Sequence, residues 1–437
     1  MTDARTSQDM STGLQKVAER AKREPAGKFH SLAHLIDVEL LRRAFARLRG
    51  DAAVGVDGVT KAEYGRDLEM NLPDLHGRMK ARKYRHQPIR RVHIPKEKGR
   101  RPIGISCTED KVVQNAIREV LEAIYEQDFL SCSYGFRPGR SAHDAVRALT
   151  RAVNEGEANF ILEIDVASFF DSMVRVQLME MLQERVADGS LLRLIGKCLH
   201  VGVLDGEEFS RPDEGTVQGS TLSPLLGNVY LHHALDVWFT EQVKPRLRGK
   251  SVLVRYADDA VFGFERRDDA ERVVAVLEKR LARFGLSINP DKTRLLDFRR
   301  PRMLQGEGKG PSTFDFLGFT WYWRRTPKGG WVVACKTRRA RLSRAIRSVY
   351  DWCRSHRHWP IQEQHAALTR RVRGHYNYFG VSGNTRCLKA LDWHVTRAWH
   401  KWLNRRSQRA RLNWERFGDL LRDFPLPRPR VVVNLWK

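Results

Sequence analysis

Cysteine is scarce: there are six in 437 residues, at 107, 132, 198, 335, 353 and 387, with no Cys-x-x-Cys pair. This argues against a disulfide frame and a zinc knuckle, and it fits a reducing compartment. His356-Arg357-His358 has no acidic or cysteine partner near it in sequence, so two surface histidines are a simpler reading than a metal site. No apolar run is long enough to cross a bilayer, and the polar stretch Met1 to Gly27 lacks the apolar core of a signal peptide. The expectation is a cytoplasmic protein with no membrane partner. Acids are scarce toward the C-terminus. From Trp321 onward 27 lysines and arginines face 6 acids, a surplus of 21 out of a chain total of +26.

Tryptophan follows the same division, with ten of eleven beyond residue 320. A basic, aromatic segment can neutralise phosphates and stack on unpaired bases, so a polyanion is the first partner to consider. A helical domain with a Trp-rich core explains the tryptophans equally well but leaves the charge excess unexplained.

The patterning divides the chain into residues 1–28, a loose lead, 29–320, a mixed α+β body, and 321–437, a basic α-helical domain with a short Pro-rich tail. Helical periodicity runs over Leu32–Leu48, Ala62–Lys83, Thr108–Asp128, Ser141–Asn154, Arg175–His200, Ser223–Val243 and Asp268–Phe284. Gly285 is a natural C-cap for the last of these. Two β-prone runs, Arg91–Ile94 and Arg101–Ile105, flank the basic turn Pro95–Arg100. Phe160–Asp165 reads as a buried strand, and Ser251–Tyr256 and Ala260–Phe264 as two strands around a tight turn. Strand character returns in Thr313–Trp323 and Trp331–Cys335, and helices follow Thr337.

The chemistry is concentrated at Tyr256-Ala-Asp-Asp259. Two adjacent carboxylates at the tip of an apolar hairpin are costly unless a cation holds them. Asp165 ends the other strongly apolar strand and converges on Asp258 if the two strands are neighbours. Two Mg²⁺ ions there can activate a primer 3′-hydroxyl and neutralise a leaving pyrophosphate. An acidic β-turn is the plainer alternative for those four residues taken alone.

The consecutive blocks make that alternative weak. Arg91–Lys96 with Arg100–Ile105, Tyr134-Gly-Phe-Arg-Pro-Gly-Arg-Ser141, Asp165-Val-Ala-Ser-Phe-Phe-Asp171 and Gly215-Thr-Val-Gln-Gly-Ser220 occur in order. Arg255–Asp259, Asn289-Pro-Asp-Lys-Thr293, Phe316-Leu-Gly-Phe319, Arg373-Gly-His-Tyr-Asn-Tyr378 and Trp402–Ser407 follow. From about Phe29 to Arg430 the chain resembles the bacterial group II intron-encoded reverse transcriptases, or maturases.

The resemblance implies a right-hand polymerase fold, with fingers and palm around an antiparallel sheet and an α-helical thumb, or maturase domain. It implies catalysis by Asp165, Asp258 and Asp259, with metal held at Asp165, Val166 and Asp258 (two Mg²⁺, with Mn²⁺ a possible substitute). Lys96, Arg101, Phe169 and Gln218 would hold the deoxynucleoside triphosphate, Phe169 stacking under the sugar while Phe170 is a core residue. Arg137, Arg140, Lys292, Arg373, Arg405 and Arg406 would contact RNA or primer. Asp171 reads as a helix N-cap in preference to a metal ligand.

The implied partners are group II intron RNA as structured template, target DNA as primer and deoxynucleoside triphosphates, with one copy on the RNA. Val217 stands where the family usually has Pro, and Ser220 where it has Gly, so loop stiffness and fidelity are open. No paired Cys motifs follow the thumb, so the expectation is that no His/Asn/Cys-type endonuclease is present and that existing DNA ends serve as primers. An RNA-folding cofactor with idle chemistry, and a polymerase free of any intron serving defence or repair, are the competing readings.

Overall fold

The computed structural model describes residues 11–95, 99–210, 214–216, 218–301, 312–407 and 412–436. The N-terminal part holds α1 (Thr12–Arg23), α2 (Val38–Ala46), α3 (Lys61–Tyr64), α4 (Leu68–Lys80), β1 (Ile89–Pro95), β2 (Arg100–Ile105) and α5 (Thr108–Asp128). Next come α6 (Ala142–Asn154), β3 (Phe160–Asp165), α7 (Phe169–Ser172), α8 (Arg175–Gln183), α9 (Gly189–Leu199), β4 (Val203–Asp205), β5 (Glu208–Ser210) and α10 (Ser223–Leu231). The chain continues through β6 (Ser251–Tyr256), β7 (Asp259–Phe264), α11 (Arg267–Ala282), β8 (Arg294–Asp297), β9 (Phe314–Phe316), β10 (Phe319–Arg325) and β11 (Trp331–Thr337). It ends in α12 (Arg339–Ser355), α13 (Ile361–Phe379), α14 (Thr385–Leu403) and α15 (Trp414–Asp423).

Three sheets organise these elements. The central one has strand order β6-β7-β3-β8, antiparallel throughout. Its strands form because Ile161, Val254, Val261 and Phe262 supply β-branched or aromatic side chains to buried faces. The fingers sheet, β2-β1-β4-β5, is an antiparallel hairpin joined in parallel to β4. Helix α5 lies in the main core with apolar residues on most of its circumference. Helix α6 starts where Ser141 and Asp144 form a reciprocal capping box.

Several boundaries differ from the pattern reading. Residues 1–28 are not wholly a loose lead: Thr12–Arg23 is a helix capped by Ser11, and it buries Leu14 and Ala21 against the core that contains α5. The break at 320 falls inside a strand, since β10 pairs with both β9 and β11. Trp321 and Trp323 join Val146 and Leu149 of α6 and Phe298 in a second core, so the helical domain begins at α12. The tail returns to that second core. Val433 bridges Val381, and both Val433 and Leu435 are buried there. A third core ties α12, α13, α14 and α15 together around Trp399, Leu388, Val372 and Phe417. No described helix is long and apolar enough to cross a membrane.

Candidate active site

The register of the central sheet brings the acids together. β3 and β7 pair so that Asp165 stands directly opposite Asp259. Tyr256 pairs with Asp259 across the β6–β7 hairpin, leaving Ala257 and Asp258 as its two-residue turn. Ala257 takes the left-handed backbone, φ +56°, as tight hairpin turns demand at their first central position. Asp258 therefore projects beside Asp259 over the end of β3.

Three carboxylates in this space disfavour one another's charge. Asp259 is reached by solvent at the cleft, yet protein closely surrounds its carboxyl. Burial first, then Asp258 and Asp165, push the group up, Lys292 and Arg341 pull it down, and together they bring it to about 6. Asp259 is the exposed first residue of an otherwise buried strand.

The segment after α11 supplies the nearest cation. Asn289 N–H donates to Asp165 C=O and Ala167 N–H to Ser287 C=O, at 2.8 and 2.9 Å, laying residues 287–289 against the end of β3. Val166 bridges Ile288 between these two bonds, and its own carbonyl takes part in neither. The turn that follows delivers Lys292, whose Nζ donates to Asp165 Oδ2 at 2.8 Å. Lys292 thus faces an acid of the site, where the sequence had suggested the primer backbone.

A divalent cation fits this donor set. Among the described residues no three Asp, Glu, His or Cys side chains enclose one point on their own. Mg²⁺ does not require such a cage, because it is usually bound by one or two carboxylates with waters and substrate phosphates completing its shell. Asp165, Asp258 and the Val166 carbonyl offer that partial set, and the mutual repulsion recorded at Asp259 is what a cation would relieve.

The remaining predicted residues separate into several groups. Arg101 is exposed on β2 opposite Ile94, on the fingers hairpin. Lys96 and Val217 lie outside the described residues. Gln218 is half-buried, and its carbonyl accepts from Gly104 N–H at 2.7 Å, tying its loop to β2. It lines a cavity of about 140 Å³ with Arg91, Gly104, Asp171 and Arg175. The two phenylalanines differ in burial. Ser168 enters the left-handed region at φ +46°, and the turn sends Phe169 into the main core at 4% exposure, while Phe170 stays half-exposed against it. Asp171 lies inside α7, which Ser168 precedes, so it is no N-cap.

Two of the predicted RNA-contacting arginines are each held internally by more than one hydrogen bond, and Arg140 by one, to Ser131 C=O at 3.2 Å. Arg137 is buried, forks onto Glu126 and donates to the carbonyls of Leu130 and Ser133. Arg406 donates to the carbonyls of Arg357 and Trp359, bracing the α12–α13 turn. Arg140 lies half-buried over the Tyr134 ring at 5.4 Å. Arg373 and Arg405 are exposed, Arg405 stacking over Trp402 at 5.5 Å. His356 packs between Trp352 and Trp359.

The sequence reading attached no role to Gly135 or Asn228. A Cβ on Gly135 would lie 2.3 Å from Ala257 N, so only glycine lets this segment touch the acid hairpin. Asn228 Nδ2 donates to Gly135 C=O at 2.7 Å. The Tyr-Gly-Phe-Arg motif marked the place, but a contact across more than ninety residues leaves no local pattern.

Comparison with known proteins agrees with this geometry. The model of the reverse transcriptase (RNA-dependent DNA polymerase) family matches residues 94–321. Protein YkfC of Escherichia coli (strain K12) is 32% identical over 319 residues, covering 64% of this chain and 83% of that protein. Group II intron-encoded protein LtrA of Lactococcus lactis subsp. cremoris is 33% identical over 201 residues, covering 46% of this chain and 33% of its own. An uncharacterized 91 kDa protein in the cob intron of Schizosaccharomyces pombe is 38% identical over 178 residues, covering 40% and 22%. The chain spans most of the first relative and a third or less of the other two. With the family match extending over half the chain and across all three acids, the chain belongs to the reverse transcriptase family, the RNA-dependent DNA polymerases.

Proposed function

We propose that Asp165, Asp258 and Asp259 are the catalytic acids of RNA-templated DNA synthesis, and that the chain works on a group II intron RNA. The observation that carries the first part is the register that sets Asp165 opposite Asp259 with Asp258 in the adjoining turn. Asp165, Asp258 and the Val166 carbonyl would hold Mg²⁺, which when bound neutralises charge at the primer hydroxyl and the leaving pyrophosphate. Lys292 neutralises part of the acid charge from its place on Asp165. Arg101, with Lys96 beyond the described residues, is suited to the triphosphate from the fingers hairpin, and Gln218 to the nascent base pair. Phe170, with the exposed part of its ring, replaces Phe169 as the residue suited to the sugar.

The intron reading draws on LtrA, whose name ties it to a group II intron, and on the basic helical domain. In this reading Arg373, Arg405 and Arg140 contact the RNA, the protein assists splicing, and target DNA serves as primer for reverse transcription during retrohoming. Replacing Asp258 and Asp259 together by Ala is expected to abolish primer extension on an RNA template while intron RNA binding persists. Extension that survives this double replacement removes the catalytic assignment. Intron RNA bound no more tightly than an unrelated RNA of equal length removes the intron assignment.

A further inference from the structure

Behind the acid hairpin lies a guanidinium with no contact to solvent. Arg255, the penultimate residue of β6, is 0% exposed, and so is Asp236. Removing an arginine from water costs several kcal/mol, on the order of what a buried ion loses, and is recovered only if its donors are matched. Here all five are matched. Nε and Nη2 fork onto the two oxygens of Asp236 at 2.8 and 2.5 Å. The second Nη2 proton goes to Ser133 Oγ at 2.8 Å. Nη1 donates to Asn228 Oδ1 at 2.9 Å and to Ala257 C=O at 3.0 Å.

The acceptors come from separate parts of the chain, and each part adjoins a different component of the site. Ala257 C=O belongs to the peptide from which Asp258 projects, and Ala257 itself is held at a positive φ that costs a residue with a Cβ about 1 kcal/mol. Ser133 opens the segment that continues through Tyr134 and Gly135. That segment runs beside β6, with Arg255 N–H donating to Cys132 C=O and Tyr134 N–H to Arg255 C=O, both at 2.8 Å. Asn228 sits on α10, just after the Gln218 loop, and spends its other end on Gly135. Burial alone would be served as well by an apolar side chain of similar volume. A planar fork with donors on every side is suited to fixing several segments relative to one another.

We propose that Arg255, held by Asp236 and Asn228, is a positioning residue that locks the Asp258 peptide to the Ser133–Gly135 segment, so that the acids and the template strand keep one register. The inference rests on the polymerase assignment of the hairpin and on the proposed contact of Arg140, further along that segment, with the RNA. Arg255 touches no reacting atom; it acts through the Ala257 carbonyl and the Ser133 hydroxyl.

Arg255→Lys and Ser133→Ala in the full chain test it. A lysine ammonium cannot reach both sides of the fork, whereas Ser133→Ala removes one hydroxyl and leaves the rest of the network in place. Single-turnover addition of one deoxynucleotide to a DNA primer on an RNA template is measured per folded molecule, with correct and mismatched nucleotides. Arg255→Lys is expected to slow correct addition about 100-fold, the cost of displacing a reacting group by about 1 Å. Its half-saturating nucleotide concentration and primer–template affinity should stay within about threefold of wild type. Ser133→Ala is expected to slow addition about fivefold and to raise the share of mismatched addition, because the acids have then moved relative to the template.

A folded Arg255→Lys protein with the wild-type rate overturns the proposal. So does Ser133→Ala with unchanged rate and unchanged error. A rate loss that only mirrors a loss of folded protein also overturns it. Should Arg255→Lys not fold, the Ser133→Ala result decides. Wild-type protein with no templated addition would instead sink the polymerase assignment, so the two failures are distinguishable.

Discussion

At the scale of single residues, the two phenylalanines after Asp165 show where spacing runs out. They are neighbours in sequence, and only the left-handed turn at Ser168 decides which ring enters the core. Phe169 lies against Gly227, where a Cβ would come within 3.0 Å of its ring, so its space is fully used. Phe169→Ala is expected to cost about 3–5 kcal/mol of stability, the usual range for a buried aromatic lost to a cavity, read as a shift in the urea midpoint. Phe170→Ala should cost less stability and instead raise ribonucleotide incorporation. Equal discrimination against ribonucleotides in Phe170→Ala and wild type would remove Phe170 from the sugar site. The acids themselves were legible from sequence, because charged pairs at the ends of apolar strands need an explanation wherever they occur. Their neighbours were not. Lys292 meets Asp165 across 127 residues, and the enclosure of Arg137 depends on Glu126 and two carbonyls that no spacing rule points to.

Among the elements, those with strong periodicity were read well. Helix α5 spans Thr108–Asp128 as its apolar pattern indicates, and β3 and the β6–β7 hairpin fall where buried apolar runs meet turn residues. Elements that depend on a partner were hidden. Helix α1 buries little beyond Leu14 and Ala21, β8 is four residues pairing at the sheet edge, and β4–β5 is a three-residue hairpin completed by β1. The Gln218 loop belongs with these, since its position is set by β2 more than by its own sequence. Gly219 lies at φ +113°, and a Cβ there would come 2.5 Å from Gly104 C=O. Gly219→Ala therefore has to push the loop off the fingers hairpin as well as pay about 1–2 kcal/mol of backbone strain. The expected outcome is a raised half-saturating nucleotide concentration with primer–template affinity unchanged. Wild-type nucleotide kinetics in this variant would mean that the contact between loop and hairpin has no bearing on the pocket.

For the molecule as a whole, charge sets both its response to acid and its response to salt. Burial pushes His232 and His375 down from 6.5 to about 4. Between these values the unfolded chain takes up protons that the folded chain refuses, so stability falls as pH drops from 6.5 toward 4 and loses nothing further from these groups below that. Asp110 and Asp128, pushed up by burial, act in the opposite sense. The informative quantity is therefore the difference between variants: His375→Phe should flatten the fall in Tm between pH 7 and about 4.5 relative to wild type. Salt tests the other consequence. The 27 basic residues against 6 acids beyond residue 320 are not equivalent, because the structure has already committed some of them. Arg373 and Arg405 are exposed, whereas Arg406 is bound to two carbonyls and Arg137, in the body, to Glu126. Each phosphate neutralised contributes about one unit to the slope of log affinity against log salt. Arg373→Ala and Arg405→Ala should each lower that slope by about one for intron RNA. Arg137→Ala and Arg406→Ala should leave the slope unchanged while lowering Tm, because they remove internal braces and not phosphate contacts. A slope that drops equally for all four would mean that the engaged arginines leave their protein partners when RNA binds, and that the basic surface is remade on the RNA.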